Sequence, residues 1–273
     1  MLRDEYLRRL IDETYVDLYL SGNEGCRIYW PWRMQPPWEA THSYRNACEK
    51  YIVDSGPQRP SVGNEDVLDK AFKTNADMAL LVDYFPFDKY AETLNPEDNP
   101  DEWEAYQDLR REYGDAFTAT VDSIERGIEL YLSHPFDGEI IIPLQAPYDE
   151  CYQHFPGFDR YSIGGLNRGT ERERIGAAVT VRELAPDVWL HGLGWGARDK
   201  LVASVHENPN LIDSVDYSTP MQTAIDSVTA GKERMSVQAA RAGARLIEDL
   251  RKFTPYIDPP NAGNHCRSTL AEF

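Results

Sequence analysis

The chain has 273 residues, 41% of them hydrophobic, which is enough for one large single-core domain. No run of about 18 apolar residues occurs, and the N-terminal stretch is charged and helix-periodic, so neither a membrane span nor a secretory signal is expected and the cytoplasm (a host's, for a viral protein) is the predicted location. With 46 acidic against 28 basic residues the net charge is −18, and that balance alone argues against binding nucleic acid, because phosphate contacts need a basic face.

The pattern along the chain is strand then helix, repeated. Short β-rich runs predict buried strands at Tyr51–Val53, Met78–Val82, Glu139–Leu144, Tyr161–Ile163, Val188–Leu190 and Leu211–Val215. Between them lie amphipathic helices: Glu65–Lys73 with Asn64 as its N-cap, Asp115–Leu132 stopped by His134-Pro135, and a helix from a Thr170 cap to Leu184. Arg198–Glu207, Ser218–Thr229 and Lys232–Phe253 complete the set. Tyr84–Trp103 reads as a long loop after a strand, and residues 255–273 read as an irregular tail. Alternation over seven or so units in one domain predicts an α/β fold, a (β/α)8 barrel spanning residues 1–254 with no zinc subdomain.

Only seven of the basic residues are Lys. An acidic, lysine-poor surface suits a halophilic protein of archaeal or viral origin, since at molar salt a Debye length of about 3 Å screens the self-repulsion. The plainer reading is a well-solvated acidic surface. Cys26, Cys48, Cys151 and Cys266 are far apart, which predicts free thiols.

Almost every predicted strand ends in a polar or glycine motif. Tyr51–Val53 leads to Asp54-Ser55-Gly56, Met78–Val82 to Asp83, and the strand closing at Leu144 to Gln145. Tyr161–Ile163 leads to Gly164-Gly165-Leu166, Val188–Leu190 to His191-Gly192-Leu193-Gly194, and Leu211–Val215 to Asp216. In a barrel these ends converge on the catalytic rim, where carboxylates, an amide and glycine turns suit a flat, hydrogen-bonding ligand. Each is weak alone: an Asp after a strand is commonly a helix cap, and His191 could equally be a satisfied core histidine.

Their joint order resembles the queuine and archaeosine tRNA-guanine transglycosylases and their DNA-acting relatives. Val53-Asp54-Ser55-Gly56-Pro57-Gln58 is similar to that family's T-D-S-G-G segment, and Asp213-Ser214-Val215-Asp216-Tyr217-Ser218-Thr219-Pro220 matches its D-x-x-D-x-x-x-P. Asp83, Gln145, Ile163-Gly164-Gly165-Leu166 and His191-Gly192-Leu193-Gly194 follow the family's remaining motifs in order, over residues 50–220. The resemblance implies Asp216 as the nucleophile of a covalent glycosyl intermediate and Asp54 as proton shuttle. It further implies a substrate-binding set of Ser55, Asp83, Gln145, Gly164, Gly165, Leu166 and His191, with neither metal nor cofactor.

Departures bear on the substrate. Pro57 replaces a family glycine, Gln58 its stacking aromatic, and His191 its methionine; the zinc-ligand cysteines and the arginine-rich segment after the nucleophile are missing. These losses concern grip on tRNA. They favour exchange of guanine in DNA for a 7-deazaguanine base, protecting a genome from restriction, with Arg168, Arg172 and Arg174 or an accessory DNA-binding protein supplying the grip. The alternatives are a tRNA-directed enzyme with an RNA-binding partner, a non-catalytic paralogue, and a barrel hydrolase or nucleosidase using the same carboxylates.

Overall fold

A computed structural model describes residues 5–22, 28–164, 169–220 and 235–255. Eight strands close into a barrel in sequence order: β1 (Asp17–Leu20), β2 (Trp32–Gln35), β3 (Lys50–Val53), β4 (Met78–Leu80), β5 (Glu139–Leu144), β6 (Arg160–Ile163), β7 (Trp189–Gly192) and β8 (Ser214–Tyr217). Every neighbouring pair is parallel, and β1 closes on β8 with Asp17 opposite Ser214 and Tyr19 opposite Asp216. The predicted barrel is therefore present.

Two of its strands, β1 and β2, escape sequence reading. They are four residues long and carry Asp17, Arg33 and Gln35, so neither reads as an apolar run. Their polar groups are nonetheless buried: Arg33 donates to the Ile28 carbonyl at 2.9 Å and Gln35 to the Gly22 carbonyl at 2.9 Å. The Glu139–Leu144 strand and the Thr170-capped helix to Leu184 stand as expected, and other boundaries shift by up to three residues. The shift matters most at the last two strands, where His191 and Asp216 lie within β7 and β8 and not beyond their ends.

Ten helices surround the barrel among the described residues: α1 (Glu5–Glu13), α2 (His42–Arg45), α3 (Asn64–Thr74), α4 (Phe87–Thr93), α5 (Pro100–Tyr113), α6 (Ala116–Ser133), α7 (Tyr148–His154), α8 (Glu171–Leu184), α9 (Asp199–Glu207) and α10 (Met235–Lys252). Local chemistry sets their starts. Asp115 caps α6 by accepting from the Thr118 amide at 2.9 Å, and Thr170 with Glu173 forms a capping box on α8. Asn64 is not the cap of α3; Gly63 is. Asn64 instead accepts from the Val82 amide at 2.8 Å and donates to the Ser123 carbonyl at 2.7 Å, tying α3 to the end of β4 and to α6.

Tyr84–Trp103 is not a loop. It contains α4 and the start of α5, held by a second apolar cluster of Phe85, Phe87, Tyr90, Tyr106, Ala116 and Ala119. The many acidic and proline residues there mask a periodicity carried mainly by aromatics. The expected Ser218–Thr229 helix and the 255–273 tail fall almost wholly outside the described residues, as do Cys26 and Cys266; Cys48 and Cys151 are buried free thiols. No described helix is long and apolar enough to cross a membrane.

Ion pairs stand at the N-terminal end of the barrel, where Lys50 meets Asp17 at 3.7 Å and Arg160 meets Glu139 at 2.6 Å. Burial, resisted by Lys50 and reinforced by Asp213, raises Asp17 to about 6. Asp213, the first Asp of the D-x-x-D motif, is structural: its carboxylate takes the Arg182 guanidinium at 2.5 Å and the Leu190 amide at 2.6 Å. These contacts lock α8, β7 and β8 together below the C-terminal end of the barrel.

Candidate active site

The turn after β3 presents Asp54. Its amide donates to the Gln35 carbonyl at 2.9 Å, continuing the sheet by one residue, and Gly56 then turns with φ 65°. A side chain at Gly56 would lie 2.5 Å from the Trp38 ring, so both backbone conformation and space require glycine. Tyr90 of α4 donates to the Pro57 carbonyl at 2.5 Å and accepts from the Phe85 amide at 3.2 Å. The α4–α5 insertion thereby clamps the loop that carries Asp54. Neither Trp38 nor Tyr90 stands out in sequence, because each acts through tertiary packing.

Asp83, Gln145 and Gly164 meet beside it. Ser55 is fully buried and donates to Asp83 at 2.8 Å, while Gln145 donates to the Tyr84 carbonyl. Gly164 leaves room for Asp83: an added Cβ would sit 2.8 Å from its second oxygen. Asp83 is almost inaccessible, and burial raises its pKa despite the hydrogen bonds from Ser55 and Gln145. Of the remaining expected residues, Gly165, Leu166 and Arg168 lie outside the described residues.

Across the mouth, Asp216 accepts the Gly194 amide at 2.5 Å through Oδ1, and the same oxygen lies 3.4 Å from Nε2 of the fully buried His191. The Gly192–Gly194 turn depends on Gly192, where an added Cβ would come 2.5 Å from the Trp195 ring. Arg174 braces this turn from α8, donating to the Gly194 carbonyl at 3.0 Å. It is buried, so it is not the solvent-facing contact expected of it; Arg172 is exposed.

Asp54, like Asp83, is shifted upward. Burial comes first, and the like charges of Asp216 and Asp83 add to it, pushing the carboxyl up to about 8 against backbone hydrogen bonds from Ser55 and Gly56. The mouth therefore holds a carboxyl, Asp54, that keeps its proton at neutral pH, together with Asp216, whose Oδ1 accepts the Gly194 amide. Among the described residues no three His, Cys, Asp or Glu side chains converge as a metal site. A cleft of about 510 Å³ outside the barrel, lined by Trp38, Arg59, Lys70, Lys73 and Glu102 among others, contains none of the mouth carboxylates. Strand-end chemistry marks the candidate site.

No family model matches this chain, and no curated protein does. Solved structures do match. One is a protein assigned as a fructose-1,6-biphosphate aldolase from Coccidioides immitis, with TM-score 0.51 and 12% identity over 90% of this chain and 93% of that one. Another is the YdjI aldolase from Escherichia coli K12, with TM-score 0.49 and 13% identity over 93% of this chain and 97% of that one. The fold is a TIM barrel.

At such identities the likeness speaks to fold alone, yet it corrects the expected activity. The expected guanine exchange in DNA is overturned: the structural neighbour at TM-score 0.51 bears an aldolase name. The geometry gives a physical reason. Asp83 and Gln145, expected to read the edge of a base, are buried and turned toward Ser55, Gly164 and the Tyr84 carbonyl. The strand-end motifs record a barrel rim and do not by themselves select a base.

Proposed function

We propose that this protein is an acid–base enzyme of the lyase or isomerase kind, acting at the C-terminal mouth of its barrel on a polar substrate. The observation that carries this reading is Asp54, a carboxyl raised to about 8 in the same mouth as Asp216. Paired carboxyls held in different protonation states divide the labour of proton transfer. Asp216 takes a proton from a substrate hydroxyl or an activated C–H bond. Asp54 returns its own proton to the oxygen or carbon on which negative charge develops, and the two carboxyls exchange states over one turnover.

Hydrogen-bonding capacity narrows the substrate. Asp216 offers an acceptor to a hydroxyl, amide or ammonium donor, and protonated Asp54 offers a donor to a substrate oxygen. Ser55 and Gln145 act behind this surface, fixing Asp83 and the turn after β4.

The test is turnover of hydroxy-carbonyl compounds, hydroxy acids and glycosides by wild type, Asp54→Asn and Asp216→Asn. The reading expects a substrate whose turnover falls at least about 100-fold in each variant, the typical scale of general acid–base catalysis. It also expects the wild-type rate to fall as pH rises through about 8, where Asp54 loses its proton. Turnover undiminished in both variants would overturn it.

A further inference from the structure

Ser214, two residues before Asp216 on the same strand, faces the same side of the sheet and lies opposite His191 in register. Its Oγ is 2.8 Å from His191 Nδ1, and both residues are fully buried. The other ring nitrogen, Nε2, has no aligned hydrogen-bond partner and faces Asp216 Oδ1 at 3.4 Å. Trp189 stacks on the ring at 5.6 Å and 18°, and Tyr19 meets it edge-on at 5.6 Å.

We propose that Ser214 is a positioning residue that acts through His191: its hydroxyl donates to Nδ1, so the ring presents Nε2–H to Asp216. This deepens the acid–base reading and rests on it for the role of Asp216. Hydrogen-bond valence selects this tautomer. A carboxylate only accepts, so the nitrogen facing it must bear a proton, and in a neutral imidazole the other nitrogen is then an acceptor. A serine hydroxyl can satisfy it by rotating. The Gly194 amide and the His191 Nε2–H both address Oδ1, which leaves Oδ2 without a donor among the described residues and available to take a proton from substrate. Ser214 gives no sequence signal beyond its place inside the D-x-x-D motif.

The experiment is ¹⁵N NMR of the histidine side chains in wild type, Ser214→Ala and Ser214→Thr, with His191→Asn to assign the His191 signals. Wild type is expected to show a pyrrole-like Nε2 and a pyridine-like Nδ1 displaced by an accepted hydrogen bond. Ser214→Ala should lose that displacement and Ser214→Thr should restore it. A proton on Nδ1 in wild type, whether alone or together with one on Nε2, overturns the proposal; so does a Ser214→Ala spectrum identical to wild type. The wild-type spectrum decides the point even if a variant fails to fold. The spectra do not depend on turnover, so failure of the substrate tests would sink the acid–base reading while leaving the tautomer assignment standing.

Discussion

Asp54→Asn replaces a carboxyl that the fold keeps protonated with an amide of nearly the same shape, and its effect on stability should grow with pH. In wild type the folded chain holds this proton up to about pH 8, whereas an ordinary Asp lets go near 3.8. A group raised in the folded state contributes stability that is fully present below the unfolded pKa and is lost as pH rises through the folded one. At 1.36 kcal/mol per tenfold change in proton activity, the loss between pH 5 and 8 is about 4 kcal/mol. Solvent reaching the mouth trims this to about 3 kcal/mol. The variant has no proton to lose and should escape the decline. Urea unfolding of both proteins at several pH values between 5 and 8 measures the difference, in which every other titrating group largely cancels. The stability of the variant relative to wild type should climb steadily across that window. A difference that stays flat would mean that Asp54 ionises normally, and the division of labour in the mouth would fail with it.

Other substitutions probe the supports of the site. Gly192→Ala places a Cβ 2.5 Å from the Trp195 ring and 2.8 Å from Ile212, and overpacking there should cost about 1–3 kcal/mol in a denaturant melt; an unchanged midpoint would show the turn to be looser than described. Tyr90→Phe removes the hydroxyl joining Pro57 to Phe85 and should cost about 1–2 kcal/mol. It should also speed amide exchange at Gly56 relative to the barrel strands, and exchange no faster than wild type would free the Asp54 loop from its dependence on α4.

The barrel is legible in the sequence because six of its strands are apolar runs and the glycine and carboxyl residues punctuate their ends. The missing strands, β1 and β2, show why the reading stops there. Their polar residues find tertiary partners, Lys50 for Asp17 and the Gly22 carbonyl for the buried Gln35, and no local pattern announces those pairings. The same reason hides α4 and α5 inside what reads as a loop. At the site, Asp54, Asp83, Gln145, Gly164, His191 and Asp216 are found from their positions after or within strands. Their roles are not legible that way, because the proton on Asp54 depends on burial and on two carboxylates 29 and 162 residues away along the chain. Motif order overreached for a related reason: a strand-end Asp or Gly–Gly is demanded by barrel geometry whatever the substrate.

The chemistry of the mouth turns on Asp54 holding a proton at neutral pH across from Asp216. The most direct measurement is ¹³C NMR titration of the aspartate side-chain carboxyls in wild type, with Asp54→Asn identifying the signal that disappears. The structure calls for that signal to titrate near pH 8. A signal assigned to Asp54 that titrates near 4, like an ordinary aspartate, would contradict the account.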